Sequence, residues 1–142
     1  MKTALILIDH GSRNVAANEL LEELTRRTRA RGVYDIVELA HMEIAKPTLK
    51  QAFAACVAQG ATRIVVHPYF LSPGRHSQVN IPEQAREAAA AYPHVEVFVT
   101  QPLGLDDRLI DLVLRRADEA LREGDPIAVT PETDGANREA TT

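Results

Sequence analysis

Tryptophan is absent, cysteine occurs once, and aromatic residues make up only 4% of the chain. The lone Cys56 excludes an intrachain disulfide and any zinc or iron–sulfur cluster built from this chain's thiolates alone, so a cytoplasmic address is expected. No stretch approaches the roughly 18 apolar residues that a membrane-spanning helix needs. The apolar run before Asp9 is also too short for the hydrophobic region of a signal peptide, so the chain is expected to be neither exported nor membrane-bound. Neither GxxxxGK[ST] nor GxGxxG occurs, which removes a Walker-type ATP site and a dinucleotide fingerprint. Positive charge is outnumbered, 16 Lys and Arg against 20 Asp and Glu, and no basic stripe has aromatics between its charges. A nucleic-acid partner is therefore not expected, and a small ligand is.

What is present suits one domain: 142 residues, of which 45% are hydrophobic. Much of the net charge of −4 falls after residue 123, where Asp125, Glu132, Asp134 and Glu139 face only Arg138. Residues 1–123 are accordingly expected to form the folded domain, and 124–142 to be a disordered acidic tail.

Arg63 to Pro82, RIVVHPYFLSPGRHSQVNIP, is the stretch around which the rest is arranged. Ile64, Val65 and Val66 form a run suited to a strand buried on both faces, and Pro73-Gly74 then ends regular structure and leaves Arg75 and His76 exposed. Asn80 is placed to cap a following helix, with Pro82 in its first turn and Glu83 completing a capping box. Earlier in the chain, Thr3 to Asp9 reads as a buried strand that ends in the turn-prone His10-Gly11-Ser12-Arg13. Asn14 or Ser12 can cap an amphipathic helix over Val15 to about Ala30, which Gly32 stops. Tyr34 to Met42 reads as a second strand, less uniformly apolar and so nearer a sheet edge. Pro47 opens a helix that carries Leu49, Phe53, Cys56 and Val57 up to Gly60. Glu83 to Ala91 is a short helix, Val95 to Val99 a fourth strand, and Ile110, Val113, Leu114, Ala117 and Leu121 line one face of a last helix.

Strands alternating with helices predict an α/β domain with a four-stranded parallel sheet in the flavodoxin-like order 2-1-3-4. Its switch point lies between strands one and three, where His10 and the His76 loop converge. Two neutral imidazoles in one crevice suit a divalent first-row metal, and two ligands leave its coordination open, as for a metal that is passed on or used. Each histidine taken alone is also compatible with a simple turn residue. Glu43, after strand two, is either an acid/base group or a solvated carboxylate. Arg13 and Arg75 flank the histidines and can act as donor forks for substrate carboxylates, with Ser12 in the same loop, or remain solvated. His41 is a candidate support for Glu43, while His67 reads as a hydrogen-bonded packing residue, His94 as bland and Cys56 as core.

DHGSR after strand one, a Glu after strand two leading to AKPTLKQAF, and HPYFLSPGRHSQVNIP after strand three together resemble the small sirohydrochlorin chelatases. The resemblance runs from about Thr3 to Leu121. It implies a chelatase fold, a homodimer with its cleft near the subunit interface, and ATP-independent insertion of cobalt, iron or nickel into sirohydrochlorin in cobalamin or siroheme biosynthesis. The family's metal-binding histidines fall on His10 and His76 and its acidic residue on Glu43. Two departures stand out: Asn80 replaces an Asp common in the family, and His41-Met42 precede the Glu where bulky apolar residues are expected. Other readings are a non-catalytic metal-binding or carrier protein of the same fold, or a flavodoxin-like phosphate or nucleotide binder using His10 to Arg13 as an anion loop.

Overall fold

The computed structural model describes residues 1–127. Of the expected tail, 128–142 lies outside the described residues. The described chain divides into two compact units, Met1–Leu105 and the segment from Asp106 onward.

The first unit is built on a parallel sheet in the order β2-β1-β3-β4, as the alternation of strands and helices predicted. Its strands are β1 (Lys2–Asp9), β2 (Ile36–His41), β3 (Ala61–Pro68) and β4 (Glu96–Val99), so the mixed polarity of β2 does correspond to an edge. Residues Ala4, Ile6, Ile8, Ile64 and Val66 alternate onto one face, where α2 (Leu49–Ala58) and α3 (Ile81–Ala89) close a core containing Phe53, Cys56 and Ile81. Each buried Ile, Val or Phe among them contributes about 1.5–3 kcal/mol by leaving water. The opposite face carries Leu7 and Val37 against α1 (Val15–Ala30), whose Leu21 and Thr25 are buried.

Most helix ends follow the local chemistry. Asn14, not Ser12, caps α1 by accepting from the Ala16 amide, and Gly32 at φ +68 follows the helix end. Helix α2 starts later than Pro47 suggested: Thr48 is extended and exchanges capping-box bonds with Gln51, so Pro47 stays outside the helix. The expected Asn80 cap is not formed. A π-helical turn over His76–Asn80 runs directly into α3, and Asn80 has helical dihedrals and no side-chain capping bond. An N-cap needs an extended residue with unpaired amides ahead of it, and here the Ile81 amide already donates to the His76 carbonyl. The Asn80 Oδ1 is left buried without a partner.

The second unit contains α4 (Asp107–Glu123), capped by the Asp106 carboxylate on the Arg108 amide and braced by the Arg122–Asp118 and Arg116–Glu119 pairs.

Candidate functional site

The carboxyl ends of β1, β2 and β3 stop level with one another. Asp9 stands opposite His41 and Ile8 opposite Pro68 in the sheet register. The ladder then continues past the strands: the Met42 and Glu43 amides donate to the Asp9 and His10 carbonyls at 2.8 and 3.1 Å, and the Tyr69 amide to Ile8 at 2.7 Å. Three loops therefore leave the sheet at one height, carrying His10, Glu43 and His76.

Close approach of the first two loops depends on Gly11. Its φ is +91, and a Cβ built there would lie 1.9 Å from the Glu43 carbonyl oxygen, so a glycine is required both by conformation and by space. The Glu43 carboxylate turns back so that Oε1 lies 3.0 Å from Nε2 of His10. Both groups remain open to solvent, with side chains 40% and 57% exposed. The other ring nitrogen of His10, Nδ1, faces the Gly11 carbonyl at 3.2 Å, leaving Nε2 as the atom that addresses the cleft.

His76 arrives from the other side. The buried Ser77 hydroxyl ties back to Gly74, accepting from its amide at 3.0 Å and donating to its carbonyl at 3.2 Å, which folds the Pro73-Gly74 loop onto the start of the π turn. Such turns carry one residue more than an α-turn and recur at functional sites. His76 at its start meets His10 edge to face, with ring centroids 4.9 Å apart. An open cavity of ≈ 320 Å³ extends from His76 along Leu71, Pro73 and Arg75. Two imidazoles and one carboxylate are thus adjacent, while no three acidic, histidine or cysteine side chains among the described residues are yet arranged to enclose a cation. A cation entering at Nε2 would take the place now held by Glu43.

The family model named CbiX matches residues 4–120. The chain belongs to the CbiX family. Among curated relatives, the chloroplastic sirohydrochlorin ferrochelatase of Arabidopsis thaliana is 44% identical over 123 residues, covering 85% of this chain and 55% of that protein. A sirohydrochlorin cobaltochelatase of Methanococcus maripaludis is 34% identical over 140 residues, covering 81% of this chain and 97% of that one. The crystal structure of the sirohydrochlorin chelatase SirB from Bacillus subtilis subspecies spizizenii in complex with cobalt superposes with a TM-score of 0.80 at 32% identity, covering 84% of this chain and 51% of SirB. The chain thus spans about half the length of some of these relatives and nearly all of another.

Within this CbiX-family chain the remaining candidates separate. Arg13 and Arg75 are exposed on the two histidine loops, with no ion-pair partner among the described residues. Ser12 accepts from the Asn14 amide and shares a reciprocal pair of bonds with Asn18, which holds the His10 loop against α1. His67 bonds Thr100 Oγ1 through Nδ1 at 2.7 Å, and burial pushes its pKa down. Cys56 is core, its thiol pushed up to about 12 by burial and then by Glu38. His94 is exposed ahead of β4.

Two features had no clear signal in the sequence. His41 is paired with Asp9, Nδ1 to Oδ1 at 2.6 Å, a contact that only the strand register creates. Ile44, directly after Glu43, has φ +74, and the Ala45 amide donates to the Glu43 carbonyl at 2.8 Å, closing a γ-turn around it. For a β-branched residue such a turn costs about 1–3 kcal/mol.

Proposed function

We propose that this protein inserts a divalent first-row metal into sirohydrochlorin without a nucleotide. The observation that carries it is the edge-to-face His10–His76 pair with Glu43 against His10 Nε2, at the switch point of the sheet. The names of the relatives, ferrochelatases and cobaltochelatases of sirohydrochlorin, agree with it.

In this mechanism His10 and His76 hold the incoming metal as neutral imidazoles, displacing Glu43 from Nε2. Two protein ligands leave the rest of the coordination sphere to water and to the macrocycle, so the ion is held loosely enough to move on. As the metal passes to four pyrrole nitrogens, two N–H protons leave. Glu43, freed from His10, accepts one, and an imidazole vacated by the metal accepts the other. Arg13 and Arg75, with Ser12 in the first of their loops, bind the acidic side chains of the macrocycle. Cobalt is the first choice of metal, with iron and nickel as alternatives: imidazole sites take all three according to supply as much as affinity.

A homodimer completes the proposal, as the family resemblance implies. Residues 1–123 then act as one chelatase-like domain, in line with a family match that ends at residue 120. A cytoplasmic setting fits the single buried thiol, and no helix among the described residues is long and apolar enough to cross a membrane.

An anaerobic absorbance assay tests the function. Purified protein is mixed with sirohydrochlorin and, separately, Co(II), Fe(II) or Ni(II), alongside His10→Ala and His76→Ala. Catalytic conversion lost in both variants supports it. Metal binding without conversion by the parent protein would identify a carrier instead.

A further inference from the structure

Ile44 combines three properties that stability does not explain together. Its backbone lies at φ +74, a conformation that a glycine would adopt freely and a β-branched residue resists, and no other non-glycine residue among those described has a positive φ. The residue is 58% exposed, so core packing does not account for an isoleucine there. It also directly follows Glu43, whose amide is fixed to the His10 carbonyl and whose carbonyl closes the turn onto Ala45. Strain at an exposed apolar residue, one position from the reactive carboxylate, marks a side chain kept for what it touches. On the far side of the histidine pair, Leu71 is likewise exposed and lines the cavity beside His76.

We propose that the Ile44 side chain is a contact for the apolar face of the macrocycle, held beside Glu43 by the strained γ-turn. This rests on the function proposed above. A tetrapyrrole has flat carbon-rich faces and an acidic rim. Arginines can hold the rim, but only apolar surface gains by covering a face, and the turn sets that surface next to the group that accepts a pyrrole proton.

Ile44→Gly and Ile44→Asn separate the backbone from the side chain, because both residues accept positive φ while neither offers a branched apolar surface. With sirohydrochlorin and Co(II) as substrates, both variants are expected to raise the KM for sirohydrochlorin about tenfold, the equivalent of one buried aliphatic side chain. Binding of Co(II) alone, measured by calorimetry, stays unchanged, and the melting temperature does not fall. Ile44→Val, which keeps a branched apolar surface, retains the parent KM. An unchanged KM in the Gly and Asn variants overturns the assignment. So does Co(II) binding that weakens together with the KM change, since Ile44 would then act through the loop that positions His10, to which the Glu43 amide is bonded, and not by touching the macrocycle. A parent protein that metallates nothing overturns this contact and the proposed function together, whereas normal parent turnover with an unchanged variant KM overturns the contact alone.

Discussion

The Asp9 carboxylate and the His41 imidazole are held 2.6 Å apart at the register step where β1 and β2 both end. His41 is 1% exposed, so its ring has exchanged water for this one carboxylate, and the pair joins the strand that leads to His10 with the strand that leads to Glu43. His41→Ala is expected to cost about 3 kcal/mol, from the cavity together with the unpaired Asp9. Asp9→Asn retains an acceptor for the imidazole and should cost about 1 kcal/mol. Urea unfolding of the two variants measures the difference, and equal losses would show that the pairing is not what matters.

Gly11→Ala should be among the most damaging single changes near the cleft. Its new Cβ meets a backbone oxygen at 1.9 Å, which no rotamer can relieve, and the φ of +91 adds its own penalty, for a loss of about 3 kcal/mol or more. Gly74→Ala, with nothing within 4 Å of its built Cβ, is the control and should shift stability by no more than about 0.5 kcal/mol. Thermal melts of the pair that coincide would contradict this reading of Gly11.

Glu43→Gln preserves the size and the approach to His10 but removes the capacity to take up a proton at neutral pH. Metal insertion is expected to fall about 100-fold, within the usual range for loss of a general base. Co(II) binding in the absence of macrocycle should be retained, since the imidazoles are untouched. Calorimetry and initial rates on one preparation check both halves, and an undiminished rate would remove Glu43 from the proton path.

His67 predicts the acid side of the stability profile. Thr100 Oγ1 gives its proton to the Gln101 carbonyl at 2.8 Å, so the His67 Nδ1–H must be the donor to that oxygen, and burial disfavours charging the ring. The folded pKa lies below the ordinary 6.5, so the unfolded chain binds the proton first as the pH drops. Stability is therefore complete above about 6.5 and declines as the pH falls from there towards the folded pKa. His67→Gln should flatten that part of the curve in denaturant titrations from pH 7.5 to 5. A slope of the same size in the variant would assign the effect to other groups.

The sheet order and the convergence of His10 and His76 were legible because they depend on properties written locally: apolar runs, strand-ending turns and right-handed crossovers. Glu43 was legible as a strand-end carboxylate, but its reach back to His10 was not, because that contact depends on how closely Gly11 lets two loops approach. Asn80 looked like a cap since Pro82 and Glu83 follow at the right spacing. The π turn that pre-empts it is tied to the preceding loop by the bonds between Ser77 and Gly74, a side-chain contact three residues apart that the spacing of capping residues does not report. The Asp9–His41 pair is a register effect between strands 32 positions apart in sequence, and the strain at Ile44 runs against the preference of its residue type.

The direction in which His76 points is encoded as a count of residues. Ile81, Ala85 and Ala88 lock the rotation of α3 in the core, and the π turn places His76 one residue further back along the helical path than an α-turn would. Each helical residue turns the chain by about 100°, so deleting one residue between Gln78 and Asn80 would swing the imidazole to a different side of the helix. Replacements of the exposed Gln78 and Val79 side chains preserve that aim, while a gain or loss of length there discards it, making reading-frame-preserving insertions and deletions the changes to which this loop is least tolerant.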